Sequence, residues 1–200
     1  MNLRGSGCSG GVFDIFNRAQ QADGYDLVET IARQSWVLNN QVGMVGLSYP
    51  GITQLYVAAS NPPSLAAVVP LSVIADAWEM QYPGGIYNAG FTRQWVDRRE
   101  SNASAGGSTW VNRRIEGGDE ECEQNLGLSA YGFDFEPVLK QMTVRPSFVD
   151  DRDLNRLVEV IKAPVFLGGV FQDEQTGAQF ASFIDRFLSL IHISEPTRPY

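Results

Sequence analysis

An α/β fold with a parallel sheet is the class this sequence predicts, and three observations predict it. The apolar run VGMVGL (42–47) leads into a helical pattern. A second apolar run (66–71) follows that helix, and a third, PVFLGGV (164–170), appears after a long segment of different character. Strand, helix and strand in succession make a βαβ unit, which implies parallel strands with a right-handed crossover. At 200 residues the chain is long enough for one substantial core.

Taken in order, DGYDLVETIARQSWV reads as a helix from Asp23, which caps it, with Val28, Ile31, Ala32 and Ser35 recurring on one face. The run 42–47 is short and rich in Val and Gly, as a strand buried on both faces requires. Beyond Ser48, residues Ile52, Leu55, Tyr56 and Ala59 fall at helical spacing, and Pro50 stands in the first turn, where proline is tolerated. Asn61-Pro62-Pro63 stops that helix before the second buried strand, Ala66 to Leu71. From about Asp76 to Phe148 strand alternation is lacking, and Phe91 and Trp95 suit a short helix. Residues 76–148 are therefore expected to form an inserted, mostly helical cap. The sheet domain is expected at 1–75 and 149–187, with Leu154, Leu157, Val158 and Ile161 on one helical face. Phe180, Phe183, Ile184 and Phe187 mark a last amphipathic helix.

Both ends read as cut. MNLRGSGCSGG opens on a glycine-rich turn without the apolar strand that should support it. At the other end, Leu188 to Arg198 resembles a translated transposase adapter from a sequencing library, so 188–200 is set apart as a non-native tail. That tail holds His192, the single histidine of the chain.

The chemistry centres on GLSYPG (46–51). A serine between a buried strand and an amphipathic helix is forced onto a tight turn that projects its hydroxyl above the sheet. Gly46 and Gly51 supply the small residues that the close backbones need. The backbone N–H of Tyr49, at a helix amino terminus, is placed to hold an oxyanion. Ser48 is thus the expected nucleophile. Asp173 lies on the loop beyond the third strand, at the carboxyl edge where open α/β sheets place their sites. The order Ser48 then Asp173, across an inserted cap, is the triad order of the α/β-hydrolase fold. His192 follows Asp173 too closely for an intervening helix and strand, and is not taken as the third member. Among the cap aromatics, Trp95, Trp110 and Tyr87 read as core. Trp78 and Tyr82, which follow the second strand's carboxyl end, are the substrate-pocket candidates.

These segments together resemble the CocE/NonD hydrolases, a family of esterases, acylases and X-Pro dipeptidyl-peptidases. The resemblance runs to about Phe187 and rests on RGSGCSGG (4–11), QADGYDLVETIARQSW (21–36), VGMVGLSYPGITQ (42–54), AAVVPLS (66–72) and VFQDEQTG (170–177). The family's serine motif is similar to GxSYxG, which accounts for Pro50 at the position of a second glycine. The resemblance implies a partial α/β-hydrolase fold and a triad of Ser48, Asp173 and a histidine downstream of this fragment. It also implies a second oxyanion donor, a tyrosine hydroxyl upstream of Met1, and a carboxyl-terminal β-sandwich outside the chain. The implied partner is a small-molecule ester or amide, or a short peptide, cleaved without a cofactor or metal.

Two other readings stand beside it. Gly5, Gly7 and Gly10 spell GxGxxG, the dinucleotide fingerprint, which needs a preceding strand, a following helix and an acid about 20 residues on. Here GVFDIFN opens no clear helix and Asp26 comes early, so the glycines read as the turn after an upstream sheet strand. The second alternative is a hydrolase-fold protein that binds without cleaving. Composition excludes more. A net charge of −8 disfavours nucleic acid, which demands clustered cations. No apolar run approaches the roughly 20 residues that span a bilayer, so no membrane partner is expected. The acidic run Glu116 to Glu123 reads as a solvated loop, and Cys8 and Cys122 read as two packed thiols, with their pairing left open by the sequence. The oligomeric state is left open.

Overall fold

A computed structural model describes residues 2–103, 108–128, 141, 143–173 and 175–188. Residues 189–200, with His192 and nearly all of the adapter-like segment, lie outside them. The chain divides into two compact units, one of Phe16–Met80 with Arg145–Tyr200 and one of Met1–Ile15 with Gln81–Val144. The elements follow in the order α1 (Arg18–Ala32), β1 (Val42–Leu47), α2 (Tyr49–Ala59), β2 (Leu65–Leu71), α3 (Ala77–Gln81), α4 (Phe91–Ala103), α5 (Thr109–Glu116), α6 (Glu120–Gly127) and α7 (Leu154–Leu157). Single-turn and longer 3-10 segments occupy Ser147–Arg152, Val158–Val160 and Gln179–Arg186.

In the first unit β1 and β2 run parallel, pairing from Val42 with Leu65 to Leu47 with Leu71, with an irregularity after Val42. The third strand is a correction to the sequence reading. Only two isolated parallel bridges, Val68 to Val165 and Leu71 to Gly168, mark it. The N–H groups of Val68 and Ser72 reach the carbonyls of Pro164 and Gly168 at 3.0 and 2.8 Å. Pro70, between them, has no N–H to complete the ladder. The parallel direction is as expected, and β2 lies between β1 and this segment.

Three further expectations change. α1 begins at Arg18, because Asn17 caps it by accepting the Gln20 N–H, and Asp23 stands inside the helix. β1 is half-buried on one face and exposed on the other. Its burial alternates along the strand, leaving Val45 75% and Leu47 61% exposed, so among the described residues only one side of this strand is covered. The last helical segment is 3-10, although Phe180 and Phe183 are buried as its apolar spacing required. The core of the unit joins α2 to the returning chain through Ile52, Leu55, Tyr56, Val68, Leu154, Val158, Ile161, Val165 and Phe183, all buried. Burying such side chains contributes on the order of 1.5–3 kcal/mol each.

The second unit holds the helices α4, α5 and α6 and the glycine-rich amino-terminal turn. Gly5 and Gly7 have φ of +70° and +57°, and the Gly5 N–H donates to the Gly10 carbonyl at 3.0 Å. The first helix opens only at Arg18, well beyond the turn, so the dinucleotide reading loses the helix that it needs directly after the glycines. The acidic run is only partly a loop. Asp119 caps α6 by accepting the Cys122 N–H, and Glu120, Glu121 and Glu123 occupy its first turn, where the helix dipole favours negative charge. The two cysteines are joined as a disulfide, Cys8 to Cys122, with 4.6 Å between their Cα atoms.

Candidate active site

Ser48 sits where β1 ends and α2 begins, at φ 61° and ψ −129°. A side-chain-bearing residue there costs roughly 1–3 kcal/mol and persists only when its surroundings over-determine it. They do so from two sides. The Ser48 N–H donates to the Leu71 carbonyl at 2.9 Å, tying the turn to the end of β2. The Ser48 carbonyl accepts from Gly51 at 2.7 Å and Ile52 at 2.8 Å, starting α2. Backbones approach closely here. A Cβ on Gly51 would stand 2.6 Å from the Leu71 oxygen and 2.7 Å from the Gly46 oxygen, and one on Gly46 would stand 2.7 Å from Pro50 Cβ. Both glycines are therefore required by contact.

Tyr49 is the first residue of α2, so its amide follows Ser48 at a helix amino terminus. Its ring stacks on Phe16 with centroids 4.6 Å apart, and its hydroxyl donates to Gln20 Oε1 at 3.0 Å. Phe16 also stacks on Tyr56, whose centroid is 5.0 Å away. Tyr56 is fully buried and donates to the Arg152 carbonyl at 2.6 Å. Burial pushes its phenol well above the ordinary value, so it stays neutral. Nothing in the sequence marked Phe16 or Gln20, which lie before the helical pattern begins.

Asp173 follows the third strand by a few residues. Its Oδ1 accepts the N–H groups of Gln175 and Thr176, each at 2.8 Å, which fixes the carboxylate on the loop. Because the three strands are parallel, Ser48 and Asp173 both lie beyond carboxyl ends, on one edge of the sheet and flanking the strand between them. Trp78 is half-buried in α3, its N–H held by Asp76 Oδ1 at 2.6 Å. Tyr82 is buried and tilted against Tyr87 at 5.5 Å in the helical unit. A cavity of about 590 Å³ lies elsewhere, against α1, lined by Arg18, Tyr25, Asp26, Ser60, Asp151 and Arg156, and contains none of these residues.

Comparison with known proteins agrees with this architecture. The family model described as X-Pro dipeptidyl-peptidase (S15 family) matches residues 1–186. A Mycobacterium bovis protein named as a serine esterase is 31% identical over 97 residues, covering 48% of this chain and 15% of that protein. Cocaine esterase of a Rhodococcus species is 39% identical over 67 residues, covering 32% of this chain and 12% of the esterase. The crystal structure of a CocE/NonD family hydrolase from Staphylococcus aureus superposes with a TM-score of 0.70 at 25% identity, over 95% of this chain and 31% of that one. The chain thus spans well under half the length of each, and its fold is part of an α/β-hydrolase fold. With a match that runs through nearly all of the described residues, the chain belongs to the X-Pro dipeptidyl-peptidase S15 family, among the CocE/NonD hydrolases.

Proposed function

We propose that the chain carries the nucleophile and the acid of a serine hydrolase that cleaves an ester, amide or X-Pro peptide bond through an acyl-enzyme. The observation that carries this reading is the strained backbone of Ser48 at the junction of β1 and α2. That backbone costs energy for any residue with a Cβ, and a functional role for the hydroxyl accounts for the cost.

On this reading Ser48 Oγ bonds to the substrate carbonyl carbon while its proton passes to an imidazole. The Tyr49 N–H stabilises the resulting oxyanion. The imidazole then protonates the leaving oxygen or nitrogen as its bond to carbon breaks, and water releases the acyl group by the reverse sequence. Asp173 holds the imidazole's tautomer. Trp78, on the segment that leaves the carboxyl end of β2, is the candidate for contact with the acyl group. His192 stands too near Asp173 in sequence to serve, so the imidazole comes from outside these 200 residues and the chain alone is inactive. Loss of a triad member costs several orders of magnitude in rate.

The test is to label the intact protein with a fluorophosphonate and map the adduct. A single adduct on Ser48, absent from Ser48→Ala, is expected. No adduct would favour a hydrolase-fold protein that binds without cleaving. The 200-residue chain should hydrolyse p-nitrophenyl acetate at the background rate, and turnover that Ser48→Ala abolishes would overturn the inactivity.

A further inference from the structure

We propose that Gln20 is a positioning residue for the Ser48 turn, acting through the hydroxyl of Tyr49. The proposal rests on Ser48 being the nucleophile. Gln20 belongs to the first turn of α1 and is only 6% exposed. Its Oε1 accepts two hydrogen bonds, from the Phe16 N–H at 3.2 Å and from the Tyr49 hydroxyl at 3.0 Å. A backbone N–H can only donate, so the Phe16 contact fixes which end of the amide faces this way. One oxygen thereby joins the turn before α1 to the first residue of α2.

Two observations make this more than packing. First, Phe16 has a φ of +57°, which is costly for a residue with a Cβ, and Gln20 holds its amide. The ring that this conformation presents stacks on both Tyr49 and Tyr56. Tyr49 is thus fixed by its face and by its hydroxyl. Second, Gln20 Nε2 is buried without a hydrogen-bond partner among the described residues. An orphaned amide donor is costly, and an apolar side chain would avoid it. The glutamine is explained by its acceptor oxygen.

The consequence for chemistry follows from the strain. The Leu71 carbonyl holds the Ser48 N–H, and α2 holds the Ser48–Tyr49 peptide through the Ser48 carbonyl, so the aim of that peptide depends on where the first turn of α2 sits. Anchoring the Tyr49 side chain sets how α2 enters, and with it the aim of both the Tyr49 N–H and Ser48 Oγ. Misplacement by about 1 Å costs on the order of a hundredfold in rate.

The experiment compares Gln20→Leu, Gln20→Glu and Tyr49→Phe in the intact protein. The readouts are the second-order rate of Ser48 phosphonylation and kcat and KM for p-nitrophenyl acetate. Gln20→Leu is expected to slow phosphonylation and lower kcat by between about tenfold and a hundredfold with KM little changed. Gln20→Glu keeps two acceptor oxygens and removes the orphaned N–H, and should recover most of the rate. Should Gln20→Leu fail to fold, Tyr49→Phe, which keeps the stacked ring and removes only the hydroxyl, is expected to show the same loss. Wild-type rates in a folded Gln20→Leu or in Tyr49→Phe would overturn the proposal while leaving the nucleophile standing. A wild-type protein not labelled at Ser48 would remove both.

Discussion

Asp76 and Arg145 meet in an ion pair across 69 residues of sequence, with Arg145 Nε 2.9 Å from Asp76 Oδ2. The second contact, from the Arg145 NH2 group to the same oxygen, is 2.8 Å. Asp76 is where the chain leaves β2 towards the inserted helices, and Arg145 is the first residue after they end. The other oxygen of Asp76 accepts the N–H groups of Trp78 and Glu79, starting α3. One carboxylate thus closes the base of the insertion and caps the helix that carries Trp78.

Arg145→Ala should accordingly destabilise the sheet unit. It strands a carboxylate whose side chain is 8% exposed, whereas Arg145 itself is 31% exposed. Breaking a fully buried pair costs about 3–5 kcal/mol, and the partial exposure of the arginine reduces this to about 2 kcal/mol. Urea unfolding of parent and variant measures it. A difference within about 0.5 kcal/mol, the range of ordinary surface substitutions, would mean that the pair contributes nothing to the base of the insertion.

The disulfide between Cys8 and Cys122 closes a loop with a sequence separation of 114 residues. Chain-entropy arguments assign about 4.7 kcal/mol to a loop of about 100 residues, and measured values cluster at about 2–4 kcal/mol. Reduction, or Cys122→Ser, is expected to lower the stability of the helical unit by that amount. The protection of its amide hydrogens against exchange reads this out. Equal protection in oxidised and reduced protein would show that the amino-terminal turn is held by its other contacts.

Asp119 gives a pH signature in the same unit. Its hydrogen bond from the Cys122 N–H, and then its pairing with Arg114, hold its carboxyl below the ordinary value of 3.8. A lowered folded value means that its contribution is present above 3.8 and fades as pH falls through the folded value. Asp119→Ala should therefore lower the melting temperature at neutral pH and make less difference in acid. A gap between parent and variant that stays constant down to pH 2 would contradict the assignment.

How much of this was legible depends on the range of each interaction. β1, α2 and β2 were readable because apolar runs and helical spacing are local. The elbow was readable because Gly46 meets Pro50 and Gly51 meets Gly46 within a few residues of Ser48, although the tightest contact of Gly51, with the Leu71 oxygen, is long-range. The start of α1 was missed because Asn17 caps a first turn, Arg18 to Gln21, that carries no apolar stripe. The third strand was overread because its ladder depends on the N–H that Pro70 lacks, a property of the neighbouring strand. The cysteine pairing, the Gln20 contact with Tyr49 and the Asp76 contact with Arg145 join positions far apart in the chain, and no local pattern encodes them. Exposure of Val45 and Leu47 was hidden for a related reason, since composition shows that a strand is apolar but not which face is covered.

The strain at Ser48 supplies the last prediction. At φ 61° and ψ −129° a Cβ is penalised and glycine is not. Ser48→Gly should relieve roughly 1–3 kcal/mol of strain and lose about 0.5–1 kcal/mol to the greater freedom of glycine in the unfolded chain. The net effect is a protein stabler by about 1 kcal/mol that no longer reacts with a fluorophosphonate. Substitution at an ordinary turn serine would do the reverse, with stability falling and reactivity unaffected. Denaturant midpoints for the parent, Ser48→Gly and Ser48→Ala decide between them. Stability falling in the glycine variant would show that this backbone is relaxed, and the physical reason for singling out Ser48 would be gone.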